Sequence, residues 1–346
     1  MTGKLTENAN TIEVLVTLQL ADELIQKLKD ISPRLSVSVY PAQKTEEIPT
    51  EVWARAEVLY TNRVIPTAEQ APKLRWIQFH WAGVDHALDA PILRKPGLFA
   101  TTLSGAAAPQ MAEYVLMMLL ALGHRLPDMV AYQKRGEWAS DRWERFLPKE
   151  LRGSTVGIVG YGSIGRQIAR LLQAFGANTV AAKRNAMDPQ DAGYFPEGIG
   201  DPLGDFLMRL YPPEALCSML KECDFVVITL PKTPATENMI AAQEISAMKP
   251  TAFLVDVSRG GIVDHNALIP ALKEHKIAGA AFDVYPGEPL PPDSPLWKLP
   301  NVLLTPHISG NTANYNERAM ALFAENLLRY INDQPLYNLI NIEKGY

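Results

Sequence analysis

Three segments in the second half of the chain each follow an apolar run with a residue able to do chemistry: Asp256-Val257-Ser258-Arg259-Gly260-Gly261, Tyr285-Pro286-Gly287-Glu288-Pro289 and Thr305-Pro306-His307. In open α/β sheets the ligand lies beyond the carboxyl ends of the strands, so residues in such positions can reach one cleft. The guanidinium of Arg259 offers a bidentate fork for a carboxylate and its neighbouring carbonyl. His307 can donate or accept a proton near neutral pH, and Glu288 beside it would fix the ring for both directions. A cation for the substrate and a proton for a developing alkoxide suit the reduction of a 2-oxo acid, which then needs only a hydride donor. Taken singly, Arg259 reads equally well as a helix-start residue, Glu288 as a loop charge and His307 as a satisfied buried polar residue. The chemical reading rests on the three together.

A hydride donor has a place in Gly160-Tyr161-Gly162-Ser163-Ile164-Gly165. This G-x-G-x-x-G run follows the β-type run Thr155-Val156-Gly157-Ile158-Val159 and opens a helical stretch from Ser163 to Leu172. The first glycine permits the turn, the second admits the diphosphate and the third lets helix and strand pack closely. Amides at the helix start then hold the diphosphate. A glycine-rich turn without a ligand is the plain alternative, and the strand, helix and further strands around it argue against that. An NAD site usually has Asp or Glu about 20 residues on, to accept from the ribose hydroxyls. Here the next strand ends Val180-Ala181-Ala182-Lys183-Arg184-Asn185, with two cations instead. Lys183 and Arg184 can pair with a 2′-phosphate, so NADP is the expected cofactor, with NAD the alternative if these charges are merely solvated.

The elements that must carry these residues read as two α/β series. Apolar runs Ile12 to Leu18, Leu35 to Tyr40, Val58 to Thr61, Leu74 to Phe79 and Leu98 to Thr102 alternate with polar or amphipathic stretches, as in a parallel sheet with crossover helices. A buried helix follows at Met111 to Leu122. The second series has strands near 155–159, 179–182, 225–230, 252–257, 279–282 and 302–305, a complete dinucleotide-binding domain. It is interrupted between Asp188 and Pro213 by a Pro-, Gly- and Asp-rich stretch that reads as a surface excursion. A last helix, from about Thr312 to Ile331, can cross back to the first series. The expected architecture is α/β, with two doubly wound parallel-sheet domains. A Rossmann domain (111–311) is inserted into a flavodoxin-like substrate domain (1–110 and 312–346), and the helices near 111–122 and 312–331 are its hinge.

Composition narrows the partners. The 346 residues suit two domains. A formal charge of -5 without a basic run argues against nucleic acid and for a small ligand. Cys217 and Cys223 lack metal-site or disulfide spacing, so no metal is expected. No run of roughly 20 apolar residues predicts a membrane span. Met1-Thr2-Gly3-Lys4-Leu5-Thr6 lacks the apolar core of a signal peptide, so a cytoplasmic location is expected.

These motifs closely resemble the D-isomer-specific 2-hydroxyacid dehydrogenase family, which includes glyoxylate/hydroxypyruvate reductases, phosphoglycerate dehydrogenases and formate dehydrogenases. The likeness runs through Leu74-Arg75-Trp76-Ile77-Gln78, Ala82-Gly83-Val84-Asp85, Ala112-Glu113-Tyr114, Glu150-Leu151-Arg152-Gly153, Met248-Lys249-Pro250 and Leu299-Pro300-Asn301-Val302, besides the segments above. It implies that Arg259 binds and polarises the substrate, that His307 is the acid/base and that Glu288 is its partner. It further implies that backbone N–H groups at Ala82 and Gly83, beside Trp81, receive the substrate carboxylate. Leu230, Pro231, Val257 and Asp283 would line the nicotinamide side, and Thr236, Ser258, Arg259 and His307 join the expected cofactor contacts. The region 123–152 would form a homodimer arm, with Trp138 and Trp143 as anchors.

Two departures bear on the substrate: Thr102 stands where the family usually has Asn, and His80-Trp81 adds bulk beside the carboxylate turn. Phosphoglycerate is disfavoured because no basic cluster lies near Trp81 and no C-terminal regulatory domain follows; formate is disfavoured by the acid/base pair. The expected substrates are glyoxylate, hydroxypyruvate or a related 2-oxo acid. A dinucleotide-sensing corepressor-like scaffold without turnover is the second reading, although the chain lacks long disordered flanks.

Overall fold

A computed structural model describes residues 11–344. The stretch Met1 to Thr6, assessed above for a signal peptide, lies outside them. The chain divides into two compact units, Met1–Ala106 with Thr312–Tyr346, and Ala107–Asn311.

The first unit is built on β1 (Ile12–Val16), β2 (Leu35–Val39), β3 (Val58–Thr61), β4 (Trp76–Phe79) and β5 (Phe99–Thr101). All pair in parallel, in the order β2-β1-β3-β4-β5. This is the flavodoxin-like doubly wound order. β3 and β4 are buried at every position, as inner strands of a parallel sheet must be, which explains their largely apolar character. The few polar groups among them are paired. Trp76 Nε1 donates to Thr101 Oγ1 at 2.7 Å, Thr101 Oγ1 donates to Gln78 Oε1 at 2.8 Å, and Asn326 Nδ2 reaches Gln78 Oε1 at 3.3 Å. Asn326 belongs to the helix Tyr315–Ile331, whose Phe323 packs on Tyr60 and Trp76 at centroid distances of 4.7 and 5.4 Å. The tail then pairs with the end of β5, Ile340 N donating to Ala100 O at 2.8 Å. Packing and hydrogen bonds thus place the segment after Thr312 in the same unit as the first hundred residues.

The second unit holds seven parallel strands in the order β12-β11-β10-β9-β6-β7-β8. They are β6 (Thr155–Val159), β7 (Asn178–Ala182), β8 (Arg209–Tyr211), β9 (Phe225–Ile228), β10 (Phe253–Asp256), β11 (Gly279–Phe282) and β12 (Val302–Leu304). Six coincide with apolar runs in the sequence. The seventh, β8, corrects the reading of 188–213 as wholly a surface excursion. Its three residues, followed by Pro212 and Pro213, are too short to carry a period, yet they pair with Val180 to Ala182 of β7. The helix Ala108–Gly123 packs Met111, Val115 and Leu119 into one core with Ile168 and Leu172 of the helix Ser163–Phe175. Among the described residues no single helix is long and apolar enough to cross a membrane.

Candidate active site

The glycine loop leaves the end of β6, and its three glycines meet three different constraints. Gly160 has φ +104°, where a side chain is strained, and a Cβ there would lie 3.0 Å from Thr229 backbone and Leu230. At Gly165 a Cβ would come within 2.4 Å of Gly160 O, so only glycine lets helix and loop approach. Around the Cβ position of Gly162 nothing lies within 4 Å. Gly162 also caps the helix Ser163–Phe175, with no side-chain cap bond to the first amides. Open space in front of uncapped amides fits a diphosphate. Ser163 and Ile164 flank it half-buried, whereas Tyr161 is buried and donates to Asp201 Oδ2 at 2.5 Å.

The three chemically capable residues come together at the ends of β10, β11 and β12. A Cβ on Gly260 would collide with Tyr285 O at 1.7 Å, so the turn carrying Arg259 packs directly on the turn that leads to Glu288. Arg259 Nη1 donates to Ser258 O at 2.8 Å. Glu288 is held at both oxygens: Tyr285 N donates to Oε1 at 3.1 Å, and Oε2 lies 2.7 Å from His307 Nδ1. The Nδ1 side of the imidazole is therefore committed to Glu288, which leaves Nε2 for a reacting group. His307 itself has φ +54°. That conformation is uncommon for a side-chain-bearing residue and needs fixing from outside. Asp283, fully buried, does so, accepting from Thr305 Oγ1 at 2.6 Å, Ile308 N at 2.9 Å and Ser309 N at 2.7 Å.

Residues 116–309 match the family described as D-isomer specific 2-hydroxyacid dehydrogenase, NAD binding domain. The chain belongs to this family. A glyoxylate reductase of Thermococcus litoralis is 36% identical over 277 residues, covering 79% of this chain and 78% of the relative. A D-3-phosphoglycerate dehydrogenase of Methanocaldococcus jannaschii is 32% identical over 335 residues, covering 96% of this chain; the chain spans 60% of that relative's length. Among solved structures, a D-isomer specific 2-hydroxyacid dehydrogenase from Xanthobacter autotrophicus Py2 in complex with NADPH and MES superposes with a TM-score of 0.78 at 26% identity, covering 98% of this chain and all of that one. The family's members are NAD(P)-dependent oxidoreductases, and the matched region contains the glycine loop and the Arg259, Glu288 and His307 segments.

Within this dehydrogenase the remaining expected contacts sort into two kinds. Leu230 is half-buried and Pro231 exposed at the end of β9, open to a ligand. Thr236 is instead used inward: its hydroxyl donates to Pro231 O at 2.7 Å and accepts from Thr233 N at 2.8 Å, closing the loop. Val257 and Ser258 are buried, and Ser258 N and Oγ both bond Asp256 Oδ1. Burial pushes the Asp256 carboxyl up to about 7, helped by neighbouring Asp283 and opposed by the Ser258 bonds. At the end of β7 the two cations differ. Lys183 Nζ donates to Asp188 O at 3.0 Å and Gln190 O at 2.8 Å, using two of its three donors, while Arg184 is exposed. Desolvation and, next, Arg166 hold the Lys183 pKa below the usual lysine range.

In the other unit, Trp81 is 41% exposed on the turn after β4 and is followed by the exposed Ala82 and half-buried Gly83. Its indole stacks on Tyr315 at 4.5 Å, and Tyr315 donates to His80 O at 2.7 Å. The His80 ring lies edge-on to both, with Nδ1 2.6 Å from Tyr60 Oη, and burial lowers its pKa to about 4. Thr102 O accepts from Asn338 Nδ2 at 3.3 Å. Sequence reasoning missed Tyr285, Tyr315 and Arg166. Each is an ordinary residue by type, and only its contact across many positions gives it a role.

Proposed function

We propose that the chain reduces a 2-oxo acid to the D-2-hydroxy acid with NADPH, and that glyoxylate, hydroxypyruvate or a close relative is the substrate. The observation that carries this is the Glu288–His307 pair at 2.7 Å beside the Arg259 turn, on strand ends that follow a dinucleotide loop. Arg259 binds the carboxylate and polarises the carbonyl; the backbone N–H groups of Ala82 and Gly83, beside Trp81, are assigned to the substrate carboxylate as the family resemblance implies. His307, oriented through Nδ1 by Glu288, delivers the proton from Nε2 to the oxygen of the reduced carbon. When bound, the nicotinamide supplies the hydride. Leu230, Pro231, Val257, Ser258 and Asp283 form its surroundings.

For the adenosine end we assign the 2′-phosphate to the pair Lys183 and Arg184, with the exposed guanidinium of Arg184 as the main contact and the half-buried Lys183 ammonium secondary. The NADPH complex of the Xanthobacter enzyme supports NADP over NAD, and the glyoxylate reductase name of the Thermococcus relative supports the substrate class. A homodimer through 123–152 is proposed from Trp138 and Trp143, 86% and 74% exposed, a degree unusual for tryptophan unless covered by a partner; light scattering on the purified protein tests it.

Purified protein with a panel of 2-oxo acids should consume NADPH, and Arg259→Ala or His307→Ala should each lose at least about a hundredfold in rate. Unchanged turnover in either variant would remove the assigned roles. Tight binding of NADPH with turnover of no 2-oxo acid would instead favour a dinucleotide-binding scaffold.

A further inference from the structure

The connection from β7 to β8, which reads in sequence as a surface excursion, is built into the dinucleotide site's foundations. Arg166, the fourth residue of the helix Ser163–Phe175, is fully buried. Its Nη1 donates to Asp201 O at 2.5 Å, its Nη2 donates to Pro189 O at 2.7 Å, and its Nε lies 3.4 Å from Asp191 Oδ2. The guanidinium stands over the ring of Tyr161, the second residue of the glycine loop, at 4.5 Å, and the Tyr161 hydroxyl donates to Asp201 Oδ2. Asp201 is itself 2% exposed and also accepts from the amides of Gly204, Asp205 and Phe206. The next residues of the helix add Gly200 N to Gln167 Oε1 and Arg170 Nε to Gly200 O, each at 2.6 Å. At the strand side, Lys183 Nζ holds Asp188 O and Gln190 O.

A passive connection needs none of this. Strand-to-strand loops longer than about 12–15 residues are usually functional when they are ordered, and this buried guanidinium is offset by two carbonyl acceptors at Nη1 and Nη2 and by the Asp191 carboxylate facing Nε without a hydrogen bond. The segment is fastened to the glycine loop at one end and to the β7 end at the other. Those two places are where a Rossmann site takes the diphosphate and the adenosine ribose.

We propose that residues 188–206 form a fixed wall at the adenosine end of the site, and that Arg166 is the positioning residue that sets its selectivity for the 2′-phosphorylated dinucleotide. Arg166 acts without touching the cofactor, by keeping the 188–191 turn, and through it Lys183 and Arg184, in one place. This rests on the reading that NADP(H) binds at the glycine loop with its 2′-phosphate near Arg184. A loosened wall penalises NADPH, which needs a fixed cation, more than NADH, which does not.

The test is fluorescence titration of NADPH and NADH, with steady-state kinetics, on the wild type, Arg166→Met, Arg166→Lys, Asp201→Asn and Arg184→Ala. Arg166→Met should lower the NADPH-over-NADH preference by about tenfold, equivalent to about 1.4 kcal/mol, while kcat at saturating NADPH stays within about twofold. Arg166→Lys, which keeps the charge but cannot span both carbonyls, should fall between. Asp201→Asn, which turns an acceptor facing three amides and a hydroxyl into a partial donor, should move the preference the same way and carries the test if Arg166→Met does not fold. A wild-type preference in whichever of these variants fold, alongside a collapsed preference in Arg184→Ala, overturns the wall and leaves the cofactor reading standing. An unchanged preference in Arg184→Ala overturns the cofactor reading itself.

Discussion

The two units share a parallel, doubly wound sheet yet prepare their strand ends in opposite ways. In the unit of β6 to β12 the ends carry charge, and each charged group is tied to backbone: Glu288 to Tyr285 N, Asp283 to Ile308 and Ser309 N, Lys183 to carbonyl oxygens. In the unit of β1 to β5 the end of β4 carries rings, with His80, Trp81, Tyr315 and Tyr60 packed edge to face around a neutral imidazole. One unit fixes charged side chains at its strand ends through backbone hydrogen bonds, the other packs aromatic rings there. The same low-dielectric burial that lowers the His80 pKa to about 4 raises that of Asp256 to about 7, with opposite consequences for pH.

The largest expected contrast lies in kcat. His307→Asn should lower kcat by about a thousandfold, because it removes the proton donor while the loop held by Asp283 remains in place. NADPH binding should persist. No substitution in the β4 turn should approach that loss. A Trp81 variant as crippled in kcat as His307→Asn would mean that the β4 turn takes part in the chemistry and would break the contrast.

This contrast explains what could be read from the sequence. The placement of Arg259, Glu288 and His307 just past strand ends, and of the glycine loop between β6 and its helix, was legible because residue type and local spacing carry the signal: Gly160 and Gly165 where a Cβ is crowded, and capable side chains just past apolar runs. Six of the seven strands in the larger sheet were legible for the same reason. β8 was not, since Arg209-Leu210-Tyr211 is too short for periodicity and owes its strand state to pairing with β7. The anchoring of Asp201 by Tyr161 and Arg166 was equally hidden, because those contacts join residues 35 to 40 positions apart. Lys183 and Arg184 looked equivalent as neighbours, and only the fold shows that the Lys183 ammonium is held by two backbone carbonyls.

pH should separate the units next. His80 has its folded pKa lowered from 6.5 to about 4, so protons bind the unfolded chain first. Its contribution is present above about 6.5 and lost as pH falls toward 4, about 3 kcal/mol in all. Asp256 is raised from 3.8 to about 7, so the unfolded chain ionises first. Its contribution is present below about 3.8 and lost as pH rises toward 7, about 4 kcal/mol at most. Urea midpoints between pH 4 and 7.5 should therefore flatten on the acid side in His80→Gln and on the neutral side in Asp256→Asn. If both variants follow the wild-type curve, burial is not what sets these charges.

Smaller still is the expected effect of the indole shelf. Trp81→Ala should raise KM roughly tenfold for 2-oxo acids with an apolar side chain and much less for glyoxylate, since a lost apolar surface is worth about 1–3 kcal/mol only to a substrate that touches it. kcat should change little. Equal KM changes across the panel would mean that Trp81 shapes the carboxylate turn rather than a side-chain pocket.

The smallest difference is the most discriminating, because it falls between adjacent residues of one strand end. Lys183→Met removes a cation of the 183–184 pair, yet its ammonium already spends two donors on Asp188 O and Gln190 O. The third donor is all that remains for a phosphate. The NADPH-over-NADH ratio should therefore shift by less than about threefold, against tenfold or more in Arg184→Ala. Thermal stability should fall in Lys183→Met, since two carbonyl oxygens lose their donor. The reverse pattern, with selectivity lost in Lys183→Met and kept in Arg184→Ala, would exchange the two roles and make the carbonyl-bound lysine the phosphate ligand.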